Sequence, residues 1–329
     1  MPLAMALILA GLALTLLAGG CGSSSGGAGW KAQRSGTDAD LHGVAFANAS
    51  DGWAVGSNGN ILATTDGGAT WRAQRSGTPA SSLWGVAFAN ASDGWAVGDG
   101  IILATTNGGA TWKAQNPGAT ADYLHDVAFA NASDGWAVGD NTRTGASIIL
   151  ATTNGGATWK AQSPGTAAFS LWGVAFANAS DGWAVGDNAR TGASIILATT
   201  NGGATWKAQS SGKTASSLWD VAFANASDGW AVGNRTILAT TNGGSTWKAQ
   251  KSGVAALTLS LWDVAFANAS DGWAVGDGII FATTNGGATW KAQSSRKTDE
   301  LRGVAFANAS DGWAVGTSGT ILATADGGN

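Results

Sequence analysis

One phrase constrains this chain more than any other. Val-Ala-Phe-Ala-Asn-Ala-Ser-Asp-Gly-Trp-Ala-Val-Gly begins at Val44 and returns at Val86, Val127, Val174, Val221, Val264 and Val304. A period in the range of roughly 40–50 residues fits either a helical array or a ring of small sheets, and the content of each copy decides between them. In the second copy, residues 83–89 alternate large and small side chains, and Asn90 to Gly94 is turn chemistry. Residues 95–98 and 101–106 are two further extended runs, Asn107-Gly108-Gly109 is a hairpin signal, and 110–115 is a fourth run. None of these runs has the three-to-four-residue apolar period of a helix. Four short strands joined by tight turns make one propeller blade. The sequence therefore predicts an all-β fold, a single seven-bladed β-propeller with four strands per blade.

The two ends support that count. The last copy stops at Asn329 without its fourth strand, while Gly29-Trp30-Lys31-Ala32-Gln33 matches the missing piece. The ring is expected to close when this N-terminal strand joins the last blade. Copies start near residues 41, 83, 124, 171, 218, 261 and 301, and the propeller spans 30–329. Within a copy, Val86 and Phe88 form a bulky side against small Gly85, Ala87 and Ala89, which suits close stacking of blades. In the fourth strand Trp112 and Ala114 alternate with Thr111, Lys113 and Gln115, so one side is expected to meet water at the rim.

Residues 1–20 read as a signal peptide, because residues 3–20 are almost wholly Leu, Ala, Ile and Gly. They end in Leu-Leu-Ala-Gly-Gly-Cys, which resembles a bacterial lipobox and marks Cys21 as the lipidated residue. Two departures from that pattern stand out: no Lys or Arg precedes the apolar run, and Ala18 lies three before Cys21. The alternative is an uncleaved membrane anchor. Residues 21–29 form a flexible tether. The expected location is the bacterial envelope, exported and lipid-anchored to the cell or outer membrane, with the propeller a monomer. A net charge of −4 leaves no basic excess for phosphates, so nucleic acid is not an expected partner. One Cys rules out an internal disulfide framework, and one Glu with two His limits acid–base chemistry.

Thr64-Thr65-Asp66-Gly67-Gly68-Ala69-Thr70-Trp71 resembles the Asp-box of bacterial neuraminidase repeats, with Asn replacing Asp at Asn107, Asn154, Asn201, Asn242 and Asn285. Taken with Gly-Trp-Ala-Val-Gly and the Ile-Leu and Thr-Thr that precede the box, the unit resembles the repeat of the photosystem II stability and assembly factor family. That resemblance covers 30–329 and implies a seven-bladed propeller, lipid-anchored in cyanobacterial members, that binds protein rather than catalysing.

Comparison among copies separates scaffold from site. The Asp before each Gly-Trp, the Asp-box Asp or Asn, and the Asn of Asn-Ala-Ser recur in every copy, so they read as turn formers rather than catalytic or glycosylated residues. The turns after strands one and three are nearly invariant, whereas the loops between strands two and three and between blades vary. Variable loops on a rigid frame are where binding concentrates. At the start of the innermost strands stand His42, Trp84, His125, Trp172, Trp219, Trp262 and Arg302. They are candidates for the mouth of a central channel, with Tyr123 just before His125 and with Asp126, Asp220 and Asp263 directly after three of them. The competing reading packs these Trp residues into the blade core, since they share the parity of Val86 and Phe88. Arg143 and Arg190, in the two longest loops, are candidates to hold an anionic group together.

No cofactor or metal is expected; the Asp–Asn loops match no calcium cage. The favoured function is a non-catalytic scaffold that binds a protein or peptide. The alternative is a carbohydrate-binding or sialidase-like propeller, which would need paired carboxyls and, in sialidases, a Tyr nucleophile with clustered arginines.

Overall fold

The computed structural model describes residues 29–77, 81–118, 122–165, 169–188, 191–211, 216–251, 259–294 and 299–329. They form seven four-stranded antiparallel sheets. Blade two shows the pattern, with strands Leu83–Phe88, Gly94–Gly98, Ile101–Thr105 and Lys113–Gln115. Blade seven is assembled from both ends of the chain. Leu301–Phe306, Asp311–Gly316 and Ile321–Ala325 are completed by Lys31–Gln33, with Lys31 opposite Ala323 and Gln33 opposite Ile321. The ring is therefore closed by the N-terminal strand, as the sequence predicts.

The core lies between blades rather than within them. Each Phe of the repeat stacks on the Gly-Trp indole of the preceding blade and meets its own blade's outer Trp edge-on. Phe88 shows both, at 3.5 Å from Trp53 and 5.9 Å from Trp112. Fully burying one such side chain stabilises by about 1.5–3 kcal/mol, and an aromatic pair adds about 0.5–1.5 kcal/mol. The closing contact is equivalent, since Phe46 stacks on Trp313 at 3.5 Å. Gly94 follows from this stack: a Cβ there would collide with the Phe88 ring.

The invariant turns hold their own shape. Asn48 Oδ1 accepts the amides of Ser50 and Asp51, and its Nδ2 donates to the Asp51 carboxylate. Asp66 accepts both the amide and the hydroxyl of Thr70, and the latter two bonds lower its pKa most. At Asn107 the carbonyl oxygen still accepts the Thr111 amide, and the Nδ2 now donates to the Thr111 hydroxyl. A threonine hydroxyl serves in either sense, which is why Asn and Asp interchange here.

Two expectations need correction. The fourth strand does not place Ala114 inward: Trp112 precedes the strand, Ala114 is exposed, and Gln115 is the half-buried residue. Gln115 also does more than face water. Its Oε1 accepts Trp159 Nε1 at 3.1 Å and its Nε2 donates to Gly155 O at 3.3 Å, both in the next blade. Gln33, Gln74, Gln162, Gln209 and Gln293 make the same clasp.

Candidate functional site

The innermost strands carry the second correction. In blade two, Leu83 pairs with Gly98 but Gly85 pairs with Val97, so Trp84 is an extra residue in a β-bulge. The same bulge recurs in all seven blades. It reverses the side-chain alternation at that point. The core receives Leu41, Leu83, Leu124, Leu171, Leu218, Leu261 and Leu301, each at most 1% exposed. The neighbouring Trp84, Trp172, Trp219 and Trp262 are turned out of the core clusters and left half-buried. The core-packing reading of these four indoles is overturned, because parity cannot be carried across a bulge.

All seven bulge residues, His42, Trp84, His125, Trp172, Trp219, Trp262 and Arg302, line one cavity of about 240 Å³ at the ring's axis. They form two arcs of a collar. In the first, Arg302 Nη1 donates to His42 Nδ1 at 3.0 Å, and the His42 ring lies 4.2 Å from Trp84. Burial, then the Arg302 charge, lowers His42 to about 4, so it is neutral at pH 7 and free to accept that bond. Arg302 also faces Asp40 and Glu300, each at 3.4 Å. In the second arc, ring centroids run from His125 to Trp172 at 4.2 Å, to Trp219 at 5.3 Å and to Trp262 at 5.1 Å.

Five of the seven collar residues are oriented from the end of strand two or the loop that follows it. Trp84, Trp172 and Trp262 donate Nε1 to Asp99, Asp187 and Asp277, at 2.7, 2.9 and 3.2 Å. His125 meets Asp140 at 3.0 Å, and His42 meets Ser57 at 3.0 Å. Sequence reasoning missed these partners, although the signal was present as a polar residue fifteen positions after each collar residue. Asp140 and Asp187 are held in turn by Ser170 and Ser217 of the following blades.

Behind the collar the same cavity is lined by Asp126, Asp220 and Asp263. Their carboxylates accept main-chain amides of the innermost strands. Asp126 accepts the amides of Val127 and of Val174 in blade four. Asp220 accepts Val264 N, and Asp263 accepts Val264 N and Val304 N. Burial, opposed by its two amide bonds, raises Asp126 to about 7. Burial, the charge of Asp263 and a hydrogen bond to it push Asp220 well above the carboxylate range.

The remaining candidates lie elsewhere. Tyr123 is 37% exposed and stacks beside His125 at 6.5 Å, outside the cavity lining. Arg143 is exposed, with Asp122 at 3.8 Å, and does not line the cavity. Its expected companion, Arg190, lies outside the described residues, as do Cys21 and the leader. Among the described residues, no group of three or more His, Cys, Asp or Glu is placed to hold a metal.

Comparisons with known proteins agree with this architecture. No curated protein matches the chain. Among solved structures, YCF48 bound to D1 peptide is similar at 20% identity and a TM-score of 0.72, over 90% of this chain and 94% of that one. YCF48 from Cyanidioschyzon merolae is similar at 22% identity and 0.71, over 90% and 98%. Virginiamycin B lyase from Staphylococcus aureus shares the fold at 15% identity and 0.73, over 89% and 98%. The model of Photosynthesis system II assembly factor YCF48 matches residues 24–119, 118–215 and 208–297, and the chain belongs to that family.

Proposed function

We propose that this protein is a non-catalytic, lipid-anchored scaffold of the bacterial envelope that grips a protein or peptide segment at the collar. The observation that carries the reading is the bulge repeated in every blade. It places seven side chains outside the core and around one cavity, where the repeat itself needs nothing from them. Indole and Arg side chains held in fixed orientations are typical anchors of interfaces, and preorganisation lowers the cost of binding. A family relative in complex with the D1 peptide supports a peptide as ligand class.

The carboxyls favour binding over hydrolysis. Asp220 and Asp263 are hydrogen-bonded to each other and committed to backbone amides, whereas glycoside hydrolysis needs two carboxyls flanking a sugar bond, about 5–9.5 Å apart. Envelope attachment through Cys21 belongs to this reading, and mass spectrometry of the membrane-extracted protein tests it. The central test replaces Trp172 and Trp262 by Ala together. Partner capture in a cross-linked membrane pull-down should disappear while the thermal melt moves by only a few degrees, because neither indole belongs to a core cluster. A variant that fails to fold, or one that still captures the partner, removes the collar from the function. Binding confined to a glycan array would instead favour the carbohydrate reading.

A further inference from the structure

The collar is built for one kind of side chain. We propose that it takes a basic residue of the partner segment, a lysine ammonium or an arginine guanidinium, seated on the indoles of Trp172, Trp219 and Trp262 and facing Asp220 and Asp263. This rests on the peptide-binding reading and adds to it the chemistry of the residue that enters.

Three observations converge. The first is aromatic: three indoles from consecutive blades, spaced 5.3 and 5.1 Å, form one wall of the cavity, and indole faces attract cations. The second is charge. Asp126, Asp220 and Asp263 line the same cavity, and burial, then the charge of Asp263, keeps a proton on Asp220 that a neighbouring cation would release. Among the described residues, Arg302 is the one cation lining the cavity, and it is already engaged by Asp40, Glu300 and His42 on the opposite arc. An anionic side chain would find no uncommitted Lys or Arg among the described residues that line the cavity.

The third observation is independent of charge. Trp219 Nε1 is fully enclosed and has no hydrogen-bond partner. In the neighbouring blades the matching N–H is donated to Asp187 or Asp277, but the residue fifteen positions after Trp219 is Asn234, which does not accept it. A buried donor without an acceptor is costly. If the indole turns toward the cavity as a segment enters, a main-chain carbonyl one residue from the inserted cation would complete it. Together these features ask for a cation carried on a peptide backbone, which a neutral sugar does not supply.

The test uses the full chain in detergent and four peptides, acetyl-Gly-Ser-Gly-Xaa-Gly-Ser-Gly-amide, with lysine, arginine, norleucine or glutamate at the central place. Indole N–H resonances, assigned by single Trp→Phe variants, report the titration. The lysine and arginine peptides should shift Trp172, Trp219 and Trp262 and bind at least ten-fold tighter than the norleucine peptide. Asp220→Asn with Asp263→Asn should remove most of that preference. If the double variant does not fold, the lysine-to-norleucine ratio on the unaltered protein decides alone. Equal binding of lysine and norleucine, preference for glutamate, or no shift of any collar indole overturns the cation assignment. The Trp172 and Trp262 pull-down answers separately: partner capture lost there with lysine and norleucine held alike keeps the peptide reading and discards only the cation.

Discussion

Asp126 shows how a single carboxyl can serve structure and titrate near neutrality. It accepts two backbone amides, yet burial raises it to about 7 from an ordinary value of 3.8. The folded ring thus keeps a proton that the unfolded chain gives up above about pH 4. The resulting stability is complete below 3.8 and is lost as pH rises through about 7. Asp220 acts in the same direction. His42, lowered from 6.5 to about 4, acts oppositely but only below about 6.5. The urea midpoint should therefore fall between pH 6.5 and 8.5, and Asp126→Asn should flatten that fall while destabilising the protein at pH 6.5 by leaving one amide unpaired. A midpoint that is level or climbs in the unaltered protein contradicts the assignment. His125 and Asp263, which share the cavity with Asp126, are the controls to vary next.

Between blades, the glutamine clasp has one exception that makes it testable. Gln74 ties Trp112 Nε1 to Gly108 O, whereas Gln250 turns back to Lys248 O and leaves the fully buried Trp290 Nε1 without a partner. Gln74→Ala orphans a buried donor and should cost about 1–3 kcal/mol. Gln250→Ala has no such donor to lose and should stay within about 0.5 kcal/mol. Equal losses in chemical unfolding would mean the clasp does not hold the blades. This element also marks how far the sequence could be read. The strands, the turns and the identity of the collar residues were legible, because repetition and turn chemistry are local. The inward side of the fourth strand, the clasp and the direction of Trp84 were not. Gln115 finds its partners in another blade, and the bulge at Trp84 follows from pairing with Val97 and Gly98 rather than from any residue that signals it.

At the scale of the molecule, closure depends on one short strand. Trp30 is 4% exposed, meets Phe306 edge-on at 5.8 Å and donates to Gln293 at 2.8 Å, so it occupies the place that Trp112 holds in blade two. Trp30→Ala should therefore cost about 3–5 kcal/mol, as for any large core aromatic, and match Trp112→Ala. A loss below about 0.5 kcal/mol would describe a tail, not a seal. Family membership and the ring together account for the shape; the seven bulges account for what is free to differ. Because each bulge frees one side chain per module from packing, the axis of the ring spells a seven-letter word, His, Trp, His, Trp, Trp, Trp, Arg. Any letter can be rewritten while the modules stay identical, so the chemistry at the axis can change without touching how the chain folds.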